Sequence, residues 1–519
     1  MKSSLLVKIS LCLCLFLSVF GVQNAKADHI SSSEMYVDYI GTGPTDMKYL
    51  VTFVTFRICI NGNLALASSV GINVSSPSIG FTKSMTLPSI LHLDPKSGLN
   101  VYEDTLDNLC PAFSVINSCR VLANVNYSGY TRRIYQDTIT IPARSADLKF
   151  SWGSCCRLLS YQNISYAGGP WFYLEVGINN LIRYNNNTPR YLGQPFTFCC
   201  TNQASSLSNI PTDPDGDSLY TSRLDPQQFQ NIPIVYNPGY DSTHPTGISA
   251  PAYYKVSPVS GKATFLALAS GKYALGFRTT DYDAVSGKPM SYVARDLVIS
   301  VLPCTNQPPF IDSIPQGIVG VRHVDTTNGD VVLTACPQVP LSFTVNSHSN
   351  NLAGKIFMRP ASVLPTGMTV TASPGDSVAF VTVNWTPTAA DIGPHVVTIL
   401  AVDSTCAVGQ EITLRSEFTF TVNVRPGLDA GPDLSSCPLG ERPVRLGSNA
   451  NPTSKITWTG LDGLPAKYLT CTTCANPYAG PPMNYTYIVT TDDITYVCKN
   501  SDTVVVFIDT TNSVETPQD

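Results

Sequence analysis

Apolar and polar residues alternate with a period of two along much of this chain. The segment 418–424 (FTFTVNV) places Phe or Val at every second position, and 485–489 (YTYIV) repeats the pattern with Tyr and Val. Such alternation is typical of strands with one face on a core and one in water. The segment 49–58 (YLVTFVTFRI) is apolar on both faces and predicts a central strand. No amphipathic helix longer than two turns is indicated, so the pattern predicts an all-β chain.

Joints rich in proline and glycine divide the chain. They lie at 303–309 (PCTNQPP), at 425–427 (RPG) and, more weakly, at 166–170 (YAGGP). The later units have the usual size of an immunoglobulin-like sandwich, so we predict tandem immunoglobulin-like β-sandwiches in an elongated array. The predicted units are 28–165, 166–304, 305–425 and 426–511, followed by a polar tail at 512–519.

The first 27 residues have the anatomy of a secretory signal peptide. A basic start precedes an apolar run at 9–22, and Ala25-Lys26-Ala27 forms a cleavage signal, so the mature chain is expected to begin at Asp28. No later apolar run is long enough to cross a membrane. The protein is therefore predicted to be secreted, to the extracellular space or outer cell surface, with the periplasm as the alternative.

Composition and motifs argue against two classes of function, nucleic-acid binding and catalysis. Charged residues make up only 13% of the chain and the net charge is −5, which argues against a nucleic-acid partner. The chain contains no HExxH, GxSxG or Walker A motif, so no enzymatic activity is predicted.

The four tryptophans, Trp152, Trp171, Trp385 and Trp458, are interpreted as core anchors. An alternative role for Trp171 is a sugar-stacking platform, because it precedes Phe172 and Tyr173.

The cysteines are interpreted as disulfides. Two of the sixteen lie within the signal, at positions 12 and 14, which leaves fourteen in an oxidising compartment. Cys471 and Cys474 have a spacing that is typical of zinc ligands, but a zinc site there would lack two of its four ligands. The predicted pairs are Cys336–Cys406, Cys437–Cys498, Cys471–Cys474 and Cys110–Cys119. Connectivity stays open among Cys59, Cys155, Cys156, Cys199, Cys200 and Cys304.

Three units resemble known extracellular modules. In the second unit, 212–220 (TDPDGDSLY), 271–277 (GKYALGF) and 279–283 (TTDYD) follow one another as in dystroglycan-type cadherin-like domains. The third unit is similar to the same superfamily more loosely, through 385–403. The fourth resembles a PKD-like or bacterial immunoglobulin-like domain, through its opening at 429–438, the ITW at 456–458 and the CTTCANP at 471–477.

The first unit resembles the N-terminal region of large secreted proteins from gliding bacteria that use type IX secretion. The matching residues include Arg57-Ile58-Cys59, 150–157 (FSWGSCCR) and Asn163-Ile164, whereas Ser31-Ser32-Ser33 stands where that family tends to have glycines. The resemblance implies a surface role in gliding motility. Such relatives generally end in a sorting domain, and whether this chain continues into one past Asp519 is left open.

One cluster of carboxylates suggests a cation. Asp213, Asp215 and Asp217 occupy alternate residues around a glycine, and Ca²⁺ prefers six to eight oxygen ligands. The cadherin-like resemblance places Asp281 and Asp283 near this turn, completing a candidate calcium site. The alternative is an Asp-rich turn with solvated carboxylates.

These features predict a secreted, non-enzymatic adhesin or stalk protein. Its partner would be a protein or a glycan at a cell or solid surface. Binding is expected in the first unit, where 87–117 forms a long irregular stretch, because long loops on a rigid scaffold carry recognition residues. The alternatives are a carbohydrate-binding accessory protein of a polysaccharide-degrading system and a structural subunit of a surface filament.

Overall fold

The protein is described here by a computed structural model. It describes residues 30–59, 66–94, 97–106, 118–119, 129–155, 157, 160–166, 169, 171–283, 286–304, 306–327, 330–349, 351, 355–403, 413–436, 443–450, 454–493 and 496–508. The predicted signal segment and the polar tail lie outside these residues. Within them no α-helix occurs, and the helical turns are short 3₁₀ segments such as Pro77–Ile79 and Ala389–Asp391. The prediction of an all-β chain is confirmed.

None of the described segments forms a helix with the length and apolarity needed to cross a bilayer.

The N-terminal domain spans residues 30–304. Its strands are β1 Ile30–Tyr39, β2 Lys48–Ile58, β3 Ser69–Ser76, β4 Phe81–Pro88, β5 His92–Leu93, β6 Asn100–Val101, β7 Glu103–Leu106, β8 Tyr130–Thr140, β9 Leu148–Ser154, β10 Ile164–Ser165, β11 Phe172–Ile178, β12 Arg190–Tyr191, β13 Phe196–Cys200, β14 Ser205–Ser208, β15 Pro211–Thr212, β16 Ser218–Leu224, β17 Gln227–Phe229, β18 Ile232–Pro233, β19 Val235–Tyr236, β20 Tyr253–Val256, β21 Lys262–Leu266, β22 Gly271–Tyr282 and β23 Pro289–Leu302.

One large sheet runs through this domain, in the order β4-β3-β9-β11-β23-β1-β2-β8-β7, with β13, β16, β17, β18 and β22 attached. β2 lies between β1 and β8 and is buried on both faces from Val51 to Ile58, as the sequence predicts. The sheet does not divide at 165/166 as the sequence analysis expects. β11 pairs with β9 across that boundary, and β23 pairs with both β11 and β1.

The physical reason is a shared core. Phe53, Trp152, Leu174 and Val293 come from both sides of the expected boundary, and all are buried in one cluster. Neither half could cover its own apolar face alone, so the weak YAGGP joint is a connection within one domain.

The middle domain, residues 306–425, is a sandwich of two five-stranded sheets. One sheet contains β24, β25, β28, β30 and β31, and the other contains β26, β27, β29, β32 and β33. Its strands are β24 Phe310–Ile311, β25 Gln316–Val319, β26 His323–Asp325, β27 Val331–Ala335, β28 Leu341–His348, β29 Ile356–Pro360, β30 Thr369–Ser373, β31 Val378–Trp385, β32 Gly393–Asp403 and β33 Leu414–Val424.

The alternation in β33 does not leave its polar face in water. Phe418, Phe420 and Val422 are buried in the core as predicted. Thr419 and Thr421 are buried too. β14 of the N-terminal domain packs against β33, and the Thr419 hydroxyl lies 3.0 Å from that of Thr398 on the neighbouring strand.

The C-terminal domain, residues 426–508, is the smallest sandwich. Its main sheet has the order β34-β39-β38-β36, and β35 pairs with β37. Its core surrounds Trp458, whose side chain is fully buried. Its strands are β34 Leu434–Ser436, β35 Val444–Arg445, β36 Ile456–Thr459, β37 Tyr478–Ala479, β38 Tyr485–Thr491 and β39 Ser501–Ile508.

The disulfides correct three of the four predicted pairings, and two of these corrections come from one bond between domains. Cys498 bonds to Cys336 of the middle domain, so neither Cys336–Cys406 nor Cys437–Cys498 forms. β27 and β33 are parallel neighbours and end at the same edge, where the chain enters the C-terminal domain, so Cys336 lies at that joint. The partners expected for these two cysteines, Cys406 and Cys437, lie outside the described residues.

Other cysteines pair within a domain. Cys119 bonds to Cys59 rather than to Cys110, which lies outside the described residues. Cys59 follows β2, and its amide donates to the carbonyl oxygen of Gly129 at 3.0 Å. Cys471 bonds to Cys474 as predicted, which removes the zinc alternative. Of those left open, Cys200 bonds to Cys304, and Cys155 is also disulfide-bonded. Cys199 is a buried free thiol.

Candidate functional site

The predicted calcium turn lies between β15 and β16. β16 pairs with β22 so that Leu219 stands opposite Asp281, which brings the end of β22 beside the turn. Carboxylate oxygens of Asp213, Asp217 and Asp281 come within 4.8 Å of one another. Pairing of the two strands therefore assembles three of the five predicted ligands into an acidic cluster.

Within this cluster, Asp213 has one oxygen satisfied and one orphaned. Its Oδ1 accepts from the amides of Asp215 (2.8 Å) and Asp217 (3.2 Å), whereas its Oδ2 is buried with no hydrogen-bond partner. Burial first, and then the charge of Asp281, raises the pKa of Asp213 to about 7. The protonated or cation-bound form of Asp213 is therefore favoured at this position.

Asp281 is fully paired. It accepts from the amide (2.6 Å) and hydroxyl (2.7 Å) of Ser291 and from Nδ2 of Asn186 (2.7 Å). Burial nevertheless raises its pKa. These contacts hold the carboxylate in one orientation beside Asp213.

Arg183 completes the cluster and was missed by the sequence analysis. Its Nη1 donates to Asp217 Oδ1 at 3.0 Å, and its Nη2 donates to Asn186 Oδ1 at 2.7 Å. The segment 183–187 (RYNNN) concentrates polar residues and is the signal that could have pointed to it. The guanidinium neutralises part of the charge that a cation would otherwise balance.

Two predicted ligands point elsewhere. Asp215 accepts from the backbone and side-chain amides of Asn187, both at 2.7 Å. Asp283 accepts from the amide and hydroxyl of Ser286, both at 2.7 Å, and so closes its own turn. The residues present fit a cation through the orphaned oxygen of Asp213, with Asp217 and Asp281 as the other carboxylates.

A second site is a cavity of about 550 Å³ beside β11 and β22. Its size falls in the range of ligand pockets, roughly 300–1,000 Å³. Unlike most such pockets it is rich in charged and polar side chains. These include Tyr173, Glu175, Arg223, Asp225, Gln227, Asn231, Thr243 and Arg278.

Glu175 organises one wall of this polar cavity. Its carboxylate accepts from Tyr173 Oη (2.9 Å) and Tyr292 Oη (2.7 Å), and it pairs with Lys149 (3.2 Å) and Arg278 (3.4 Å). Burial alone would raise the pKa of Glu175, but the hydrogen bond from Tyr292 and the charge of Lys149 offset burial, so the pKa is lowered. Glu175 is thus a fixed anion.

Tyr292 reaches Glu175 across a glycine. Gly177 stands opposite Tyr292 in the adjacent strand, and a Cβ at position 177 would lie 2.3 Å from the tyrosine ring. The guanidinium of Arg278 lies over the ring of Tyr292, 4.1 Å from the ring centroid. The polar wall is therefore rigidly supported.

Trp171 differs from the other tryptophans. Trp152, Trp385 and Trp458 are buried core anchors as predicted, whereas Trp171 is 40% exposed. Its ring centroid lies 5.3 Å from that of Phe229, which is 43% exposed. The stretch at 87–117 is described only in part: β5 and β6 form a hairpin there, and the residues at 107–117 lie outside the described part.

Comparisons with known proteins found tandem immunoglobulin and cadherin repeats. No family model and no curated protein matches the chain. A three-domain titin fragment (I67–I69) has 9% identity and a TM-score of 0.25, and covers 62% of this chain and 97% of that one. A mouse cadherin-23 fragment (EC22–24) has 12% identity and a TM-score of 0.19, and covers 62% and 99%. Because these TM-scores are below 0.5, the fold assignment rests on the strand pairing above.

Proposed function

We propose that this chain is an exported, non-enzymatic adhesin whose N-terminal domain binds a partner at a cell or solid surface. The middle and C-terminal domains then act as a stalk. The polar cavity carries this proposal, because the carboxylate of Glu175 in its wall is held in a fixed position by Tyr173 and Arg278. Preorganised polar groups in a concave site are what specific binding requires.

The cysteine chemistry supports export. Four disulfides are described, one of which joins two domains. Disulfides persist in oxidising compartments and are rare in the cytosol. This agrees with the signal peptide predicted from the sequence.

We also propose Ca²⁺ at the acidic cluster. Asp213, Asp217 and Asp281 supply carboxylates, and the cation competes with Arg183 for Asp217. Bound Ca²⁺ would satisfy the buried oxygen of Asp213 and tie β22 to the turn before β16. Its role would be structural.

The adhesin proposal is tested with the full chain carrying a fluorescent label. Retention is measured on the surface of the producing cells and on surfaces they colonise. Arg278→Ala removes a charge from the cavity and is expected to lower the apparent affinity by about tenfold, the scale of a contact residue near the centre of a site. Arg445→Ala, an exposed arginine of the C-terminal domain, serves as the matched control.

Two results would contradict the proposal. In one, the full chain is retained on no surface. In the other, retention is lost with Arg445→Ala and kept with Arg278→Ala. Protection of the buried thiol of Cys199 from a thiol reagent verifies that each variant is folded.

A further inference from the structure

An exposed apolar row lies across the start of β11 and the β17–β18 hairpin, next in sequence to residues that line the polar cavity. Trp171 packs on Phe229, and Phe229 stands opposite Ile232 in the β17–β18 hairpin. All three side chains are exposed, by 40%, 43% and 51%. Large apolar side chains grouped on a surface mark interaction sites.

A buried arginine, Arg157, is hydrogen-bonded to the backbone of the segments that carry this row. Arg157 donates through Nε to the carbonyl of Trp171 and through Nη2 to the carbonyl of Gln227, both at 3.3 Å. Its charge is balanced by Asp296, 2.6 Å away. The backbone at Trp171, just before β11, and the strand β17 that carries Phe229 are therefore both bonded to one side chain that is 1% exposed.

Gly169 lies against the edge of the Trp171 indole. Gly169 has φ +89°, and a Cβ at this position would lie 2.9 Å from Nε1 of Trp171. The indole edge thus packs on the glycine backbone while the ring stays open to solvent. Trp171 is built into a fixed position.

The next row along the same strands is polar. Tyr173, which pairs with Gln227 of β17, lies two residues after Trp171 and two before Glu175, so these three positions alternate along the chain on one face of the sheet. Beyond them lies Glu175, already bonded to Tyr173 and Arg278. An apolar row thus borders a network of hydroxyl, amide, carboxylate and guanidinium groups.

We infer that this face binds a pyranose-based glycan, with one ring stacked on Trp171 and Phe229 and neighbouring hydroxyls in the polar cavity. The inference rests on the proposed function and names the ligand class of its site. A pyranose ring has an apolar C–H face, which suits the negative face of an aromatic ring, and a rim of hydroxyls, which pair with fixed donors and acceptors. In the cavity Arg278 is paired with Glu175, and Arg223 and Asp225 add one charge of each sign, which suits a ligand that bonds through hydroxyls rather than through a net charge.

The experiment measures binding of the full chain to immobilised cellulose, mannan, chitin and alginate. These polymers offer neutral, acetamido and acidic pyranoses. At least one should bind, and Trp171→Ala and Phe229→Ala should each weaken that binding by about tenfold. Phe507→Ala, a 45% exposed phenylalanine of the C-terminal domain, is the matched control and should bind as the wild type does.

A second measurement separates glycan from protein. Periodate, which cleaves vicinal diols, is applied to the surface that retains the full chain, and a protease is applied to a second sample. Loss of retention after periodate alone supports the glycan. Loss of retention after protease alone overturns the glycan inference and leaves the adhesin proposal intact. Retention on the surface by a chain that binds none of the four polymers has the same meaning. Polymer binding that survives both alanine variants also overturns the glycan inference, whereas retention on no surface removes the adhesin proposal itself.

Discussion

At the scale of single residues, Asp213 differs from the other carboxylates of the acidic cluster in how many hydrogen-bond donors reach it. Asp215 and Asp217 each have strong donors, from Asn187 and Arg183, whereas one oxygen of Asp213 is buried with none. An unpaired buried acceptor costs about 1–3 kcal/mol. Protonation or cation binding would relieve that cost, so we expect Asp213 to decide how this turn responds to pH and to Ca²⁺.

Asp213→Asn should flatten the pH dependence of stability in the presence of a chelator. The pKa of Asp213 is raised to about 7 in the folded state, above its unfolded value, so the folded state binds the proton more tightly. That stabilisation is complete below the unfolded pKa and is lost as the pH rises through about 7. The free energy of unfolding of the wild-type N-terminal domain should therefore fall between about pH 4 and 7, by up to about 1.4 kcal/mol per pH unit for one proton, and its melting temperature should fall with it. Calorimetry at several pH values checks this, and an unchanged slope in the variant would refute it.

Ca²⁺ should raise the melting temperature of the same transition at pH 7.5. A ligand bound only by the folded state stabilises it by about 2.7 kcal/mol at one hundred times its Kd. Asp213→Asn should abolish the gain, and Asp215→Asn should keep most of it, because Asp215 is bonded to Asn187. If neither Ca²⁺ nor a chelator changes the wild-type melting curve, the turn binds no Ca²⁺ and is a carboxylate cluster neutralised by Arg183.

At the scale of elements, β23 joins what the sequence presents as two units. It pairs with β1 only at Ser33↔Asp296 and Glu34↔Arg295, and at these positions two ion pairs are buried, Arg157–Asp296 and Arg295–Glu34. The alternation along each strand could be predicted, because it depends on local residues. The partner of β1 could not, because no local pattern specifies pairing across more than two hundred and fifty residues of sequence. The Arg157 and Asp296 charges likewise gave no signal until the strands were paired.

Asp296→Asn should destabilise the N-terminal domain by about 3–5 kcal/mol, because it leaves the buried Arg157 without a full counter-charge. Cys199 lies in β13, which pairs with β23, so its labelling rate reports the opening of this region. The rate of modification, followed by mass spectrometry of the Cys199 peptide, should rise strongly in the variant. Asp137→Asn, an exposed carboxylate on β8, should leave the rate unchanged. Equal rates in both variants would show that the ion pair contributes little.

At the scale of the whole molecule, the middle and C-terminal domains are covalently joined at their boundary. Cys336 follows β27, and Cys498 precedes β39, with the joint at 425–427 between the two domains. The sequence analysis assigned each cysteine a partner within its own unit, since spacing alone carries no information about contacts between domains. The Pro-rich joints could be predicted from composition, but the contacts across them could not.

A protease site inserted between Pro426 and Gly427 tests this bond. After cleavage, the two pieces should migrate as one species without reductant and as two with it. Cys336→Ser should release them in both conditions. Separation of the cleaved wild-type chain without reductant would show that Cys498 has another partner.

The bond between Cys336 and Cys498 also decides how the molecule behaves when it is pulled. Force applied at the two ends crosses this bond directly, so the residues between the two cysteines, 162 apart in sequence, are not stretched. Fully extended, that segment would reach roughly 550 Å at about 3.4 Å per residue. Cys59–Cys119 and Cys200–Cys304 shorten the loaded path in the same way, over separations of 60 and 104. Under load the oxidised chain can therefore lengthen mainly outside these three loops, and reduction adds the length of all three.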